Sequence, residues 1–249
     1  MAKKTDTTIH GTEKEFIDLF QRKCGSLSAW QAWSYIIDSI AIALSNAFDP
    51  DVKRREKREK EWQQCIDYLG GQDVSAEALS VIVTALDQNP DQDFLGKMFM
   101  ELGLGSHWHG QFFTPYNIAK AMAEMSIDGQ VLKQIDEKGW ASVNDPACGA
   151  GATLIGAVSA FKKHEIDFQN HVCFVANDID RTTAQMCYIQ LSLLGCAGYV
   201  AVTNTLSDPV TGPVLFPSEG ENQEFWYMPM WWNDIWALRR LFNRGDRHE

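Results

Sequence analysis

The feature that most constrains the fold is a sequence of three short segments between residues 140 and 161. The stretch Trp140-Ala141-Ser142-Val143 predicts a buried strand, and residues 154 to 161 have the length and apolar content of a helix. Glycines in the turn between them let the backbone approach a ligand, and the start of a helix offers unpaired N–H groups. The three segments therefore predict a nucleotide-type cradle. The turn reads Asn144-Asp145-Pro146-Ala147-Cys148-Gly149-Ala150-Gly151-Ala152-Thr153.

A second predicted strand, residues 171 to 178, ends in an acidic residue, Asp178. A carboxylate at the tip of this strand can accept hydrogen bonds from both hydroxyls of a ribose, which indicates an adenosine-containing ligand. Gly149 and Gly151 match only the front of the dinucleotide fingerprint, because Leu154 stands where a third glycine or alanine is expected. The glycines alone therefore do not identify the ligand.

A third strand is predicted at residues 199 to 202, after a helix at residues 182 to 194. Alternating strands and helices predict an α/β fold with a parallel, Rossmann-like sheet that binds its ligand at the carboxyl ends of the strands. The polar residues expected at these strand ends are Asn144, Asp145, Asp178 and Asn204.

Two motifs carry a resemblance to a known family. The run from Asp145 through Gly149 to Gly151 looks like the S-adenosylmethionine loop of amino-directed DNA methyltransferases. Before it come Asp93-Phe94-Leu95-Gly96 with Phe99, then residues 110 to 115 (Gly-Gln-Phe-Phe-Thr-Pro) and the helical residues 118 to 125. Their order and spacing resemble the modification subunit of type I restriction-modification systems, the N6-adenine DNA methyltransferase family, over about residues 90 to 206.

The resemblance implies S-adenosylmethionine as the cofactor and assigns the residues that bind it. Phe112, Phe113 and Thr114 would close over the methionine end, and the region of Asn204 would contact the adenine ring. The cofactor-binding residues expected on this basis are Gln111, Phe112, Phe113, Thr114, Asp145, Pro146, Cys148, Gly149, Gly151, Thr153, Asp178, Ile179, Asn204, Thr205 and Leu206.

The catalytic motif of the family has no counterpart here. Related enzymes carry Asn or Asp followed by Pro-Pro and an aromatic residue, which bind the amino group and ring of a flipped adenine. The segments 89 to 92 (Asn-Pro-Asp-Gln) and 208 to 210 (Asp-Pro-Val) do not match this pattern. We therefore expect a truncated methyltransferase fold that holds the cofactor half without the reaction half, and the catalytic residues stay unassigned.

Three functions remain open at this point. The first is adenine-N6 DNA methylation of the type I modification kind, and the second is a catalytically inactive relative that acts as a regulator, decoy or subunit of a DNA-modification complex. The third and weaker alternative is a methyltransferase for RNA or small molecules whose acceptor site uses the aromatic residues 225 to 232.

The region before the motifs has the periodicity of helices. Apolar residues recur at helical spacing from residue 12 to about 90, and residues 49 to 51 and 70 to 73 separate the helices. The Trp and Phe residues of this pattern predict a core, with a base-stacking platform as the less favoured alternative. We predict a helical domain at residues 1–106 and a Rossmann-like methyltransferase domain at residues 107–249. Thr114 is expected to be the N-cap, with Pro115 in the first turn, of a helix that runs to about Met125.

Residues 225 to 242 form a strongly aromatic segment, and the apolar residues from Trp231 to Phe242 predict an amphipathic helix within it. Its expected role is to cover a face or edge of the sheet. The alternative is a surface for a specificity subunit, a restriction subunit or a second copy of the chain, because Trp and Tyr dominate interaction hot spots.

The net charge of −11 disfavours tight DNA binding by this chain alone, because Lys and Arg supply most of the affinity for phosphates. DNA is therefore expected as a partner with help from other subunits. Basic residues concentrate at residues 53 to 60 and 239 to 247. Glutamates interleave the first cluster, so a solvated helix with ion pairs is favoured over a DNA contact.

The remaining composition indicates a cytoplasmic protein without a membrane segment. No apolar run reaches the roughly 18 residues of a membrane span, and no hydrophobic signal segment opens the sequence. The six cysteines form no C-x-x-C pair, which predicts reduced core thiols. His107 and His109 have no third metal ligand nearby, so no metal site is predicted.

Overall fold

The helical periodicity of the amino-terminal region produces helices whose ends follow from local capping. The computed structural model describes residues 11–23, 27–106, 113–127 and 129–243. Ser28 and Gln31 form a reciprocal capping box at the start of one helix, and the Asp51 carboxylate caps the next. These helices are α1 Thr12–Lys23, α2 Ala29–Phe48, α3 Val52–Leu69, α4 Asp73–Gln88 and α5 Phe94–Glu101.

The second part of the chain alternates strands and helices, as the sequence predicts. The elements are α6 Tyr116–Ser126, α7 Gly129–Lys138, β1 Ala141–Asp145, α8 Ala152–Lys163, α9 Phe168–His171, β2 Val172–Asp178, α10 Arg181–Leu193, β3 Ala197–Val202, β4 Glu224–Tyr227 and α11 Asp234–Phe242. Short 3-10 turns occupy Leu104–Ser106 and Pro229–Trp232. No helix in these described ranges is long and apolar enough to cross a membrane.

The sheet has the order β1-β2-β3-β4. The first three strands are parallel, with Asp145 opposite Ala176 and Asp178 opposite Val202. This confirms the predicted parallel sheet and brings the carboxyl ends of β1, β2 and β3 to one edge. The fourth strand runs antiparallel to β3, with Trp226 opposite Val200. This strand was not predicted from the sequence, where its residues were described only as part of an aromatic segment.

The two faces of the sheet carry separate hydrophobic cores. The larger core continues from the amino-terminal helices into the sheet, and it includes Trp33, Phe94, Ile155 and Phe174. It therefore crosses the predicted domain boundary at residue 106, which stays a prediction. The predicted core role of the Trp and Phe residues is confirmed, since Trp33 is fully buried.

The opposite face of the sheet is covered by the aromatic segment. Tyr199 of β3 contacts Phe225 and Trp231, and the Trp236 indole N–H donates to the Gln169 carbonyl at 2.8 Å. The rings thus cover a sheet face, as predicted, although the helix begins only at Asp234. The outward side of α11 is apolar and exposed at Ile235, Leu238, Leu241 and Phe242.

Candidate functional site

The glycine-bearing turn after β1 is stabilised by hydrogen bonds to the Asp145 carboxylate. Asp145 accepts from the Ala147 N–H at 3.0 Å through one oxygen and from the Thr153 hydroxyl through the other. Gly149 and Gly151 adopt φ values of 55° and 98°, in the left-handed region that favours glycine. The turn is thus a preformed structure, and α8 begins directly after it.

Backbone and side-chain bonds join this turn to the end of β2. The Cys148 N–H donates to the Asn177 carbonyl at 2.8 Å, and the Gly149 N–H donates to Asp178 Oδ2 at 2.9 Å. The other oxygen of Asp178 accepts from the Asp180 N–H at 2.9 Å. The two oxygens of a carboxylate offer about four lone-pair sites, so Asp178 can accept hydrogen bonds besides those from backbone N–H groups. The arrangement can therefore hold two vicinal hydroxyl groups, as a ribose presents them.

The electrostatics of Asp178 reflect its partial enclosure. Burial raises the pKa of the Asp178 carboxyl above its ordinary value, and the N–H groups of Asp180 and Gly149 oppose this shift by stabilising the charged form. A neutral hydroxyl ligand adds donors to the same carboxylate without adding charge. Ligand binding therefore favours the ionised form.

Phe113 reaches the turn from a distant part of the sequence. A Cβ atom placed on Gly149 would lie 3.2 Å from Cδ1 of the Phe113 ring, so the ring packs directly against this glycine. The same ring contacts Phe99 of α5 at a centroid distance of 5.1 Å. Three segments predicted from the sequence, represented by Phe113, Gly149 and Asp178, therefore meet at one place.

The residues after β3 complete this edge of the sheet. The Thr205 hydroxyl donates to the Pro146 carbonyl at 2.7 Å, which ties the third strand end to the turn. Asn204 uses its side-chain oxygen to accept from the N–H groups of Leu206 and Ser207 at 3.0 and 3.2 Å. The side-chain oxygen of Asn204 is thus used within the turn that Asn204 to Ser207 form.

Two apolar side chains beside Asp178 and Asn204 are unusually exposed. Ile179 is 67% exposed and Leu206 is 96% exposed, although both follow buried strands. Apolar groups at the carboxyl ends of β2 and β3 suit contact with a flat, largely apolar ring such as adenine.

The other predicted site residues have mixed outcomes. Cys148 is buried, and the adjacent Cys187 thiol and burial both raise the pKa of its thiol, which agrees with a packing role. Gln111 and Phe112, like His107 and His109, lie outside the described residues.

Thr114 is exposed and is not the helix cap that we predicted. Pro115 occupies the cap position with extended backbone, so α6 begins one residue later than expected.

Sequence analysis missed Gln190, a fully buried amide in α10. Its Nε2 donates to the Ala150 carbonyl at 2.9 Å and to Asp93 Oδ1 at 2.8 Å, and its Oε1 accepts from the Leu95 N–H at 3.0 Å. One side chain thus connects the glycine turn to the segment from Asp93 to Gly96. The available signal was the polar side chain of Gln190 between the apolar residues Ile189 and Leu191 of α10.

A cleft of about 500 Å³ opens beside Phe113 and Thr114, between the amino-terminal helices and the start of α6. Asn89, Gln92 and Lys97 contribute polar groups to its wall. The cleft has room for a polar ligand group next to the segment that the family resemblance assigns to the methionine end.

Two of the basic residues of α3 are used inside the protein, whereas four others are exposed, namely Lys53, Arg55, Lys57 and Lys60. Arg58 is buried and donates to Asp49, Ser45 and the Phe225 carbonyl, while Arg54 pairs with Asp49 and Glu219. Lys57 forms the predicted type of i,i+4 pair with Glu61. These contacts agree with the ion-paired interpretation at Arg54, Lys57 and Arg58.

The aromatic residues 225 to 231 do not form an open acceptor site. Phe225, Trp226, Tyr227 and Trp231 are all buried, so their ring faces are occupied by protein contacts. This burial disfavours the form of the third hypothesis in which these four rings hold an RNA or small-molecule acceptor.

A family model described as N-6 DNA methylase matches residues 97–227, which is more than half of the 249-residue chain. The chain therefore belongs to the N-6 DNA methylase family. This family membership confirms the resemblance inferred from the two sequence motifs.

Two individual proteins illustrate the similarity. The type I restriction enzyme MjaIX methylase subunit of Methanocaldococcus jannaschii is 28% identical over 116 residues. The match covers 46% of this chain and only 18% of that relative's length. A crystal structure of the type I restriction-modification methyltransferase subunit from Streptococcus thermophilus aligns over 79% of this chain and 58% of its own, with 12% identity and a TM-score of 0.39.

Proposed function

We propose that this chain binds S-adenosylmethionine and serves adenine-N6 methylation of DNA in a restriction-modification system. The observation that carries the proposal is the meeting of Phe113, Gly149 and Asp178 at the carboxyl edge of the sheet. Family membership gives the chemical class, and this arrangement supplies a matching place for an adenosyl ligand.

The proposed roles follow from the donor and acceptor groups. Asp178 accepts from the ribose hydroxyls, while Ile179 and Leu206 contact the adenine ring from the ends of β2 and β3. The turn from Asp145 to Thr153 brings its backbone close to the ligand, with the two glycines removing side-chain bulk. Phe113 and Thr114 lie on the methionine side, beside the polar cleft.

Bound S-adenosylmethionine would supply an electrophilic methyl group for transfer to the adenine amino nitrogen. The residues named above bind and orient this donor, and none of them is assigned as an acid or base. The Asn/Asp-Pro-Pro-aromatic tetrapeptide is absent from the sequence. We therefore expect weak or absent methyl transfer by this chain alone, and an inactive relative of the family is the second candidate.

The partners proposed for the activity are DNA and further subunits of a modification complex. The net charge of −11 and the internal use of Arg54 and Arg58 favour DNA contact that is shared with another protein. A specificity or restriction subunit fits this requirement, and the exposed apolar side of α11 is one surface available to a subunit. A cytoplasmic location belongs to the same proposal.

Calorimetry with S-adenosylmethionine tests the cofactor proposal directly. The wild-type chain should bind, and Asp178→Ala should lose at least about tenfold in affinity because the ribose acceptor is removed. Asp167→Ala provides a matched control, since Asp167 caps the short helix α9 at the opposite end of β2. Equal affinity in wild type and Asp178→Ala would contradict the ribose assignment.

A tritiated-methyl assay on adenine-rich duplex DNA then separates the two candidate functions. Binding with methyl transfer supports an enzyme, whereas binding without transfer supports the inactive relative. An absence of binding in the wild-type chain would refute the cofactor proposal itself.

A further inference from the structure

Arg181, the first residue of α10, is surrounded by carboxylates from three separate elements. Its Nε donates to Glu224 of β4 at 2.8 Å, and its Nη2 donates to Glu61 of α3 at 2.7 Å. Its Nη1 donates to Asp38 of α2, so all three guanidinium nitrogens are engaged. One cation thus joins the amino-terminal helices and the edge strand to the start of α10.

This position is unfavourable for a cation unless its partners are present. The first turn of a helix repels the positive charge of Arg181. The three carboxylates in turn repel one another unless a cation lies between them. Arg58 adds a second cation nearby, since both guanidinium groups lie over the Trp226 ring, at 4.0 Å for Arg58 and 5.5 Å for Arg181. The cluster therefore depends on Arg181 as the centre that offsets its carboxylates.

The cluster lies only three residues from the candidate ribose acceptor. The Asp180 N–H donates to Asp178 Oδ1 at 2.9 Å, and the Asp180 carboxylate accepts from the Thr183 N–H at 2.8 Å. The position of α10 thus determines where the Asp180 N–H points. The hydrogen bond from that N–H in turn sets the position of Asp178 Oδ1.

Helix α2 reinforces this arrangement from the amino-terminal region. Gln185, one turn after Arg181, also donates to Asp38, and the Thr182 hydroxyl lies 3.5 Å from the Ser34 hydroxyl oxygen. The docking of α2 on α10 is therefore polar at the end nearest the site. These hydrogen bonds join the two helices at defined atoms close to Asp180 and Asp178.

We propose that Arg181 is a positioning residue, which sets the Asp178 carboxylate for ribose binding by anchoring the start of α10 to α2, α3 and β4. The inference rests on the proposed cofactor function. It adds that α2 and α3 take part in adenosyl recognition without touching the ligand.

A double-mutant cycle tests this role with S-adenosylhomocysteine and its 2′-deoxyribose analogue as ligands. Arg181→Gln should weaken binding of S-adenosylhomocysteine about tenfold, and it should reduce the preference for the ribose over the deoxyribose ligand. In the Asp178→Ala background the same substitution should have no further effect. Arg181→Lys should give an intermediate loss, because one ammonium group cannot reach three carboxylates at once.

Two further variants make the test independent of folding defects. Glu61→Gln keeps the size of the side chain and removes one ion pair, so it should weaken binding about threefold with little change in stability. Arg54 lies in the same helix as Glu61 but pairs with Asp49 and Glu219 instead of Arg181. Arg54→Gln should therefore leave ligand affinity unchanged.

The outcomes separate this inference from the proposed function. Unchanged affinity and unchanged ribose preference in Arg181→Gln and Glu61→Gln, with a wild type that binds, would overturn the positioning role alone. An equal loss in the presence and absence of Asp178 would also overturn it, because Arg181 would then act elsewhere. A wild-type chain that binds neither ligand would refute the cofactor function and this inference together.

Discussion

Single residues in this protein serve two purposes, one in the fold and one in the proposed site. Asp178 receives backbone N–H groups that connect β2 to the glycine turn and to α10, and it is also the proposed ribose acceptor. Gln190 similarly connects the turn to the segment that begins at Asp93. A substitution at such a residue changes the local structure and the site together, so matched controls are needed to separate the two effects.

The raised pKa of Asp178 predicts that ligand affinity depends on pH. The ionised carboxylate accepts the ribose hydroxyls, and burial makes this form harder to keep as the pH falls. Affinity for S-adenosylhomocysteine should therefore be constant near neutral pH. As the pH is lowered, the affinity should begin to fall at a higher pH than it would if Asp178 had the pKa of an ordinary aspartate. Below that point the affinity should decrease about tenfold per pH unit.

Calorimetry from about pH 7 down to about pH 4, where an ordinary aspartate titrates, measures this dependence. Asp178→Asn serves as the control, because its amide does not titrate, and its weaker affinity should be flat over the same range. A wild-type affinity that is equally flat would contradict an ionised Asp178 as the ribose acceptor.

At the level of elements, the glycine turn is held in place by the packing of α6 against α8. Gly156 of α8 lies where the two helices are closest, since a Cβ atom there would be 2.9 Å from the Lys120 Cα. The backbone at this contact cannot move aside as a flexible side chain could. The close approach brings the segment containing Phe113 and Thr114 next to the helix that follows the turn.

Gly156→Ala should therefore destabilise the protein. Overpacking at a buried contact costs about 1–3 kcal/mol. The better helix propensity of alanine returns about 1 kcal/mol. Thermal or urea unfolding measures the difference. Gly129→Ala is the matched control, because it also lies in a helix but has no atom within 4 Å of the added Cβ, and it should not lower the stability.

The elements near the site were predictable from the sequence where local patterns dominate. The three parallel strands, α8 and α10 follow from apolar runs and from the turn at Asp145 to Thr153, and the family motifs identified Phe113. The strand β4 was not predictable, because Phe225, Trp226 and Tyr227 are apolar on both faces and fit a helix equally well. The cluster around Arg181 depends on residues more than a hundred positions apart, which no local pattern reveals.

At the scale of the whole molecule, the larger hydrophobic core joins the amino-terminal helices to the sheet. Trp33 of α2 and Phe94 of α5 belong to the same buried cluster as Ile155 of α8 and Phe174 of β2. The cluster at Arg181 adds polar connections across the same boundary. Neither side of residue 106 therefore buries its apolar surface without the other.

This shared core predicts one cooperative unfolding transition for the full chain. The fragment 107–249 alone should show no cooperative transition, because the helices that pack on the sheet lose their cover. Calorimetric or urea-induced unfolding of both proteins measures this, with the full chain as the control. Two transitions, or a stably folded fragment, would instead support two independent domains divided at residue 106.

The order of the strands places the ligand turn beside an open side of the sheet. Within the described residues, β4 flanks β3, whereas β1 pairs with β2 alone and keeps Asn144 exposed. Any lateral growth of this sheet would therefore begin at the strand that leads into Asp145 and Gly149. The same segment belongs to the proposed adenosyl site, so a partner added beside β1 and a bound ligand would each change the affinity for the other.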